Sequence, residues 1–262
     1  MGLPLDLKPS GAAFGVPGAL RFDPHDRQLA EAAQRHAMEE YPNEACGAVT
    51  AQGYVPLRNR HPDPLHNFDC MEDAEPLLIS GALLGLLHTH PDGPEGPSQT
   101  DIAQQIATGV PWGITLCTGA ASAPPYFWGD GIPLPPVEGR PFRHGPSGTD
   151  GKGDCYALIR DWYLTELGVR LPEAPRHDNW WEAGGDLYRD NFLRAGFVAV
   201  NREAPCRGDV FLMQVLAKVP NHGAIYLGSG MILHHLPKRL SRIEPSINWN
   251  GHVCERIRYV GT

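Results

Sequence analysis

In the stretch LLGLLHTHPDGPEGPSQTD, His88 and His90 stand two residues apart, and Ser98 and Asp101 follow across a Gly/Pro-rich loop. On a strand, residues i and i+2 share a face, so the two imidazoles can close on one ion. Asp101 falls in the first turn of the helix predicted over 98–108. Two imidazoles and a carboxylate fill three positions of a tetrahedral zinc ion and leave the fourth to water, the pattern of a catalytic site. An ion so held lowers the pKa of water and polarises a carbonyl. Ser98-x-x-Asp101 is equally an ordinary capping box, with Ser98 as the N-cap.

A second group of reactive residue types lies after position 150. Cys155 follows Asp154 at the predicted start of a helix, where oriented N–H groups favour a thiolate. His222 and His234 fall twelve residues apart on two predicted strands joined by Gly228-Ser229-Gly230. His222 can act as the base for Cys155, and His234 can fix its tautomer and orientation, as in a catalytic triad. His235 follows directly, so the third member is His234 or His235, with the spacing favouring His234. The bland alternative for Cys155 is a small buried residue packing one helix end.

These residues need elements to hold them. Apolar spacing predicts a helix over 27–40, ended by Pro42, strands over 46–50, 83–90 and 111–118, a helix over 98–108, and a last short strand at 126–128. That pattern is α/β with a mixed sheet. The later part reads as helices over 154–167 and 186–195, stopped by Gly168 and Gly196, then strands at 209–217, 222–228 and 231–236, an α+β arrangement. Pro and Gly crowd residues 121–153, and 131–141 reads as an extended, proline-stiffened linker. The expected division is therefore 1–130, a linker over 131–141, and 142–262.

The 262 residues exceed the usual single domain. At 42% hydrophobic and 20% charged they can bury real cores. A net charge of −8 argues against a nucleic-acid partner. No run approaches the roughly 18 apolar residues of a membrane span. The first twenty residues lack the basic and apolar regions of a secretory signal. Six widely spaced cysteines without a CxxC pair suggest reduced thiols in a protein made in a cytoplasm.

The His-x-His-Pro run, with Ser98 and Asp101 at their spacings and Glu44 in PNEACG ahead of a strand, resembles the JAMM (MPN/JAB) metallopeptidases. The resemblance implies a cytidine-deaminase-like mixed sheet with His88, His90 and Asp101 as zinc ligands. It also implies Glu44 as general acid/base and Ser98 as a hydrogen-bond donor to the tetrahedral intermediate. NRHPDPLHNF, residues 59–68, is similar to the version found in phage tail proteins, with His61 and His66 as loop residues. Asp154-Cys155, His222-x-x-x-Tyr226-Leu227-Gly228, a second His one strand on and the Gly208-Asp209 ahead of the preceding strand resemble the NlpC-type papain-like peptidases. That likeness implies catalysis by Cys155, His222 and His234 on peptidoglycan peptides, at a bond between D-glutamate and a diamino acid. PSGTDGKG, residues 146–153, is extra to the lead-in of such a domain and is expected to reshape substrate access.

The order of the two domains resembles the tail tip assembly proteins of lambda-like siphophages. This implies tail tip or hub proteins as partners, synthesis in the bacterial host and a place in the virion. The alternatives are a cytoplasmic protein-processing isopeptidase that uses the zinc site, and a structural tail plug with idle sites.

Overall fold

The computed structural model describes residues 20–261. The stretch on which the no-signal reading rests, and the start of the first expected domain, lie almost wholly outside them. The chain first forms α1 (Arg27–Glu40), β1 (Cys46–Thr50), β2 (Gly53–Leu57), α2 (Met71–Ile79), β3 (Gly85–Pro91), α3 (Gln99–Thr108), β4 (Trp112–Cys117) and β5 (Tyr126–Trp128). Their five strands make one sheet in the order β2-β1-β3-β4-β5, mixed because β3 and β4 run parallel while the other pairs are antiparallel.

β3 is central and has apolar side chains on both faces. On one face Leu86 joins Trp112, Ile114 and Trp128 beneath Cys70 and Ala74 of the α2 region. On the other, Leu87, Val49 and Phe127 pack against Leu29 and Ala33 of α1. Alternation along β3 therefore sends His88 and His90 to the α2 side.

Two elements here escaped prediction. α2 carries Pro76 inside it, which argues against a helix when read alone; burial of Ala74 in the core outweighs the lost hydrogen bond. β2 is only partly buried and lacks a buried face that alternation could reveal. β3 starts two residues later than predicted, because the Leu83 N–H still donates to Leu77 O and closes the end of α2.

The later residues form α4 (Cys155–Leu167), α5 (Leu187–Asn191), β6 (Phe197–Ala199), β7 (Val210–Met213), β8 (His222–Gly228), β9 (Met231–His234), β10 (Arg242–Pro245) and β11 (Val253–Tyr259). The antiparallel sheet runs β10-β9-β8-β7-β11-β6. Leu158, Ile159, Trp162 and Tyr163 lay one side of α4 on Val210, Leu212, Ile225 and Leu233.

The strand predicted to reach 217 ends at Met213. Beyond it the Asn221 side chain takes over the pairing, accepting from Val215 N–H at 2.8 Å and donating to Val215 O at 3.0 Å. The helix predicted over 186–195 stops at Asn191, and the Ala195 and Gly196 N–H groups close a turn instead. β9 ends at His234 rather than 236. β6, β10 and β11 were not foreseen.

Within the stretch read as linker, Arg140 is buried at 2% exposure and bonds Asp161 of α4 at 2.7 Å. Its other donors reach the Pro135 and Pro136 carbonyls at 2.8 and 3.0 Å, so the end of this stretch is bolted to the thiol-bearing helix.

Candidate functional site

His88 and His90 leave the same face of β3, and Asp101 meets them from the first turn of α3. The two Nε2 atoms lie 3.0 Å apart, and Asp101 Oδ1 and Oδ2 lie 3.5 and 3.6 Å from those of His88 and His90 respectively. All three residues are buried. The His90 Nδ1–H donates to Pro94 O at 2.9 Å, which leaves the Nε2 lone pair facing the cluster. His88 stacks on Phe68 with ring centroids 4.5 Å apart, and its buried Nδ1 has no partner among the described residues.

Three ligand atoms within 4.8 Å of one another, two imidazole nitrogens and a carboxylate oxygen, suit a divalent cation of zinc type. Burial opposes charge on Asp101, but the two imidazoles outweigh it and hold the carboxyl below its usual range.

The capping box is also present. Asp101 Oδ2 accepts from Ser98 N–H at 2.7 Å, and Ser98 Oγ accepts from Asp101 N–H at 3.1 Å. One carboxylate thus caps the helix and faces the imidazoles, so the two sequence readings describe the same residue. Ser98 keeps a hydroxyl hydrogen to donate elsewhere. Glu44 sits between α1 and β1, its backbone pinned by the 59–67 loop through Pro64 O and Asn59 Nδ2. Burial pushes its carboxyl up to about 7, with His90 opposing and Asp101 assisting. A carboxyl in that range suits proton transfer near neutrality. His61 and His66 remain in the loop, outside the cluster.

The second site opens at the start of α4. Asp154 caps the helix through Ala157 N–H at 2.8 Å and is itself gripped by Arg176 at 2.7 and 3.1 Å. Cys155 is half-buried, and its Sγ lies 3.4 Å from Tyr188 Oη. Burial raises the thiol pKa and the Asp154 charge adds to it, while Tyr188 and the Gly223 N–H oppose them without prevailing. The helix start alone therefore does not give the resting thiolate that the sequence suggested.

A hydrogen-bonded series orients His222. His222 Nε2 lies 3.0 Å from His234 Nδ1, His234 Nε2 lies 2.5 Å from Glu244 Oε1, and Trp249 Nε1–H donates to the same oxygen at 2.9 Å. Glu244 can only accept, so the hydrogen on His234 sits at Nε2. His234 Nδ1 then accepts from His222 Nε2–H, and the Nδ1 lone pair of His222 is left free. Burial depresses the His222 pKa to about 3, so at rest it is a neutral base. His235 packs edge-on to Phe142 with centroids 5.1 Å apart, and neither ring nitrogen has a hydrogen bond among the described residues. The geometry therefore favours His234 over His235 as the neighbour of His222.

Cys155, His222 and His235 line one cavity of about 750 Å³, together with Tyr156, Trp180 and Tyr188. Sequence reasoning missed Tyr188, Gly223, Glu244 and Trp249. Glu244 lies on a strand whose Arg-Ile-Glu-Pro sequence gives no strand signal, and it becomes a diagonal neighbour of His234 only through the Arg242↔His234 pairing.

A mixed sheet with converging His, His and Asp, followed by a helix-borne cysteine above an antiparallel sheet with paired histidines, defines a JAB-type domain joined to an NlpC/P60 peptidase domain. Comparison with known families agrees: prokaryotic homologs of the JAB domain match residues 26–128, and the NlpC/P60 family matches residues 139–256. Tail tip assembly protein K of Escherichia phage lambda is 36% identical over 166 residues, covering 63% of this chain and 76% of that protein. Its counterpart from Escherichia phage N15 is 32% identical over 237 residues, covering 87% and 93%. A probable TtuB-protein conjugate cleaving protease of Thermus thermophilus is 32% identical over 108 residues, covering 36% and 69%. The chain belongs to the tail tip assembly protein K family of lambda-like phages.

Proposed function

We propose that this chain is a virion tail component, made in the bacterial host, whose thiol domain hydrolyses peptide bonds in peptidoglycan as the tail crosses the cell wall. Tail tip or hub proteins are then its partners. The first domain is taken as 1–130 and the thiol domain as 142–262. The observation that carries the reading is the Glu244–His234–His222 series lining up a neutral imidazole in the same cavity as Cys155.

In this mechanism His222 Nδ1 takes the proton from Cys155 Sγ, and the thiolate attacks the scissile carbonyl carbon. The Cys155 backbone N–H at the start of α4 is the natural donor to the oxyanion. His222 then gives its proton to the leaving amine, and a second round with water as nucleophile frees the acyl group and restores the thiol. Glu244 and His234 stabilise the imidazolium that forms in each round, and the Tyr188 hydroxyl can donate to the thiolate.

In the first domain His88, His90 and Asp101 fit zinc, and the bound ion would supply Lewis acidity toward a peptide carbonyl. Glu44 would move the proton and Ser98 would hydrogen-bond the tetrahedral intermediate. A second reading, that this site cleaves a protein conjugate, is favoured by the name of the Thermus relative.

Digestion of purified peptidoglycan by the wild-type chain and by Cys155→Ala, with released fragments identified by mass, tests the primary reading. Stem-peptide fragments from the wild type alone are expected. Equal release by the two proteins, or none by either, would overturn it.

A further inference from the structure

Residues 146–153 do not hang from the thiol domain as a free loop. Gly148 bridges to Trp128 of β5, Thr149 N–H donates to Phe127 O at 2.9 Å, and Phe127 N–H donates to Thr149 Oγ1 at 3.0 Å. The segment thus pairs with the edge of the first domain's sheet. Lys152 forms an ion pair with Glu95. Asp150 holds Arg143 at 2.8 Å, and that guanidinium lies 4.3 Å over the ring of Tyr126, whose hydroxyl donates to Glu95 O at 2.7 Å. The two backbones also meet directly: a Cβ on Gly96 would stand 2.6 Å from His144 O.

The consequence falls on the segment between β3 and α3. Residues 94–99 line the cavity that holds Cys155 and His222. They are stiff, because His90 grips Pro94 O at one end and the Ser98–Asp101 cap fixes the other. At the rim, Gln99 Oε1 accepts from His177 Nδ1 at 3.3 Å and joins the two sides.

We propose that residues 94–99 of the first domain are the specificity-determining wall of the thiol cleft, and that residues 146–153 are the clasp that holds the wall in place. The inference rests on Cys155 being the nucleophile. The substrate class that fits is a short extended peptide lying between a polar wall, with Glu95 and Gln99, and an aromatic side, with Tyr156 and Trp180. The cavity has the size of sites that enclose a small ligand, roughly 300–1,000 Å³, and a folded protein surface would not enter it.

The test uses the full chain and two thiol reagents, iodoacetamide and a chloromethyl ketone carrying a dipeptide. Reaction is followed by the mass of the peptide bearing Cys155, since Cys206 is exposed and will react too. Gln99→Ala opens the rim, and Thr149→Ala with Lys152→Ala loosens the clasp; unchanged circular dichroism shows that the variants fold. Each should keep the iodoacetamide rate within about twofold of wild type and change the dipeptidyl rate by about fivefold or more. An unchanged ratio of the two rates in both variants would overturn the wall. A shifted ratio in a protein that releases no peptidoglycan fragment would sustain the wall and sink the cell-wall substrate.

Discussion

Glu244 lies one histidine away from His222. Its carboxylate receives His234 Nε2–H and Trp249 Nε1–H, and these bonds hold it below the usual carboxylate range although partial burial pulls the other way. In the proposed mechanism the positive charge that forms on His222 stands two hydrogen bonds from that anion. Glu244→Gln removes the charge while keeping an acceptor for His234, so the tautomer survives and the imidazolium loses stabilisation. Peptide turnover should fall about 10–100-fold in kcat/KM. The sign of the accompanying pH effect follows: without the anion the histidine pair binds its proton less tightly, so the acid limb of the kcat/KM profile moves to lower pH. A variant with the wild-type profile and rate would remove Glu244 from the mechanism. Neither Glu244 nor Tyr188 was legible in the sequence, because each reaches its partner through packing between elements with no fixed spacing.

At the scale of elements, β8 approaches α4 closely beside His222. Gly223, next to His222, makes that approach possible. A Cβ there would lie 2.7 Å from Ile159 Cδ1 and 3.1 Å from Tyr188 Oη. Gly223→Ala should therefore cost about 1–3 kcal/mol in urea denaturation, the usual penalty for overpacking a core. It should also push Tyr188 off Cys155. Since the Tyr188 hydrogen bond lowers the thiol pKa, the pH dependence of Cys155 alkylation should move upward. Stability and alkylation profile equal to wild type would show that Ile159 and Tyr188 yield freely. The expected elements that carry chemistry survive in the fold, whereas α2, β2, β6, β10 and β11 were hidden. Four of them are short, only partly buried or interrupted by proline, and β11 alternates no buried face and carries a register shift, so tertiary pairing rather than periodicity holds them.

For the whole molecule, the first domain is tied to the second through β5, Glu95 and the 94–99 segment. Loading of the His88–His90–Asp101 cluster bears on the first domain's stability, since an ion bound only by the folded state stabilises it by mass action. Protein purified without chelator is expected to carry about one equivalent of zinc, and His88→Ala about none. Chelation should lower the melting temperature of wild type and leave that of His88→Ala unchanged. Less than about 0.2 equivalents in wild type would rule out a tight site.

The sequence by itself determined which residue types could perform catalysis and which elements present them. His88 and His90 share a strand face, Asp101 opens a helix, and Cys155 starts another; these are local geometries that spacing and capping residues specify. Tertiary structure decided what those residues do to one another. The desolvation of Cys155 and His222, the choice of His234 over His235, the hydrogen bonds to Glu244 and the docking of residues 146–153 on β5 all depend on packing and strand register between elements. Burial and strand pairing set them, and neither has a signature in local sequence.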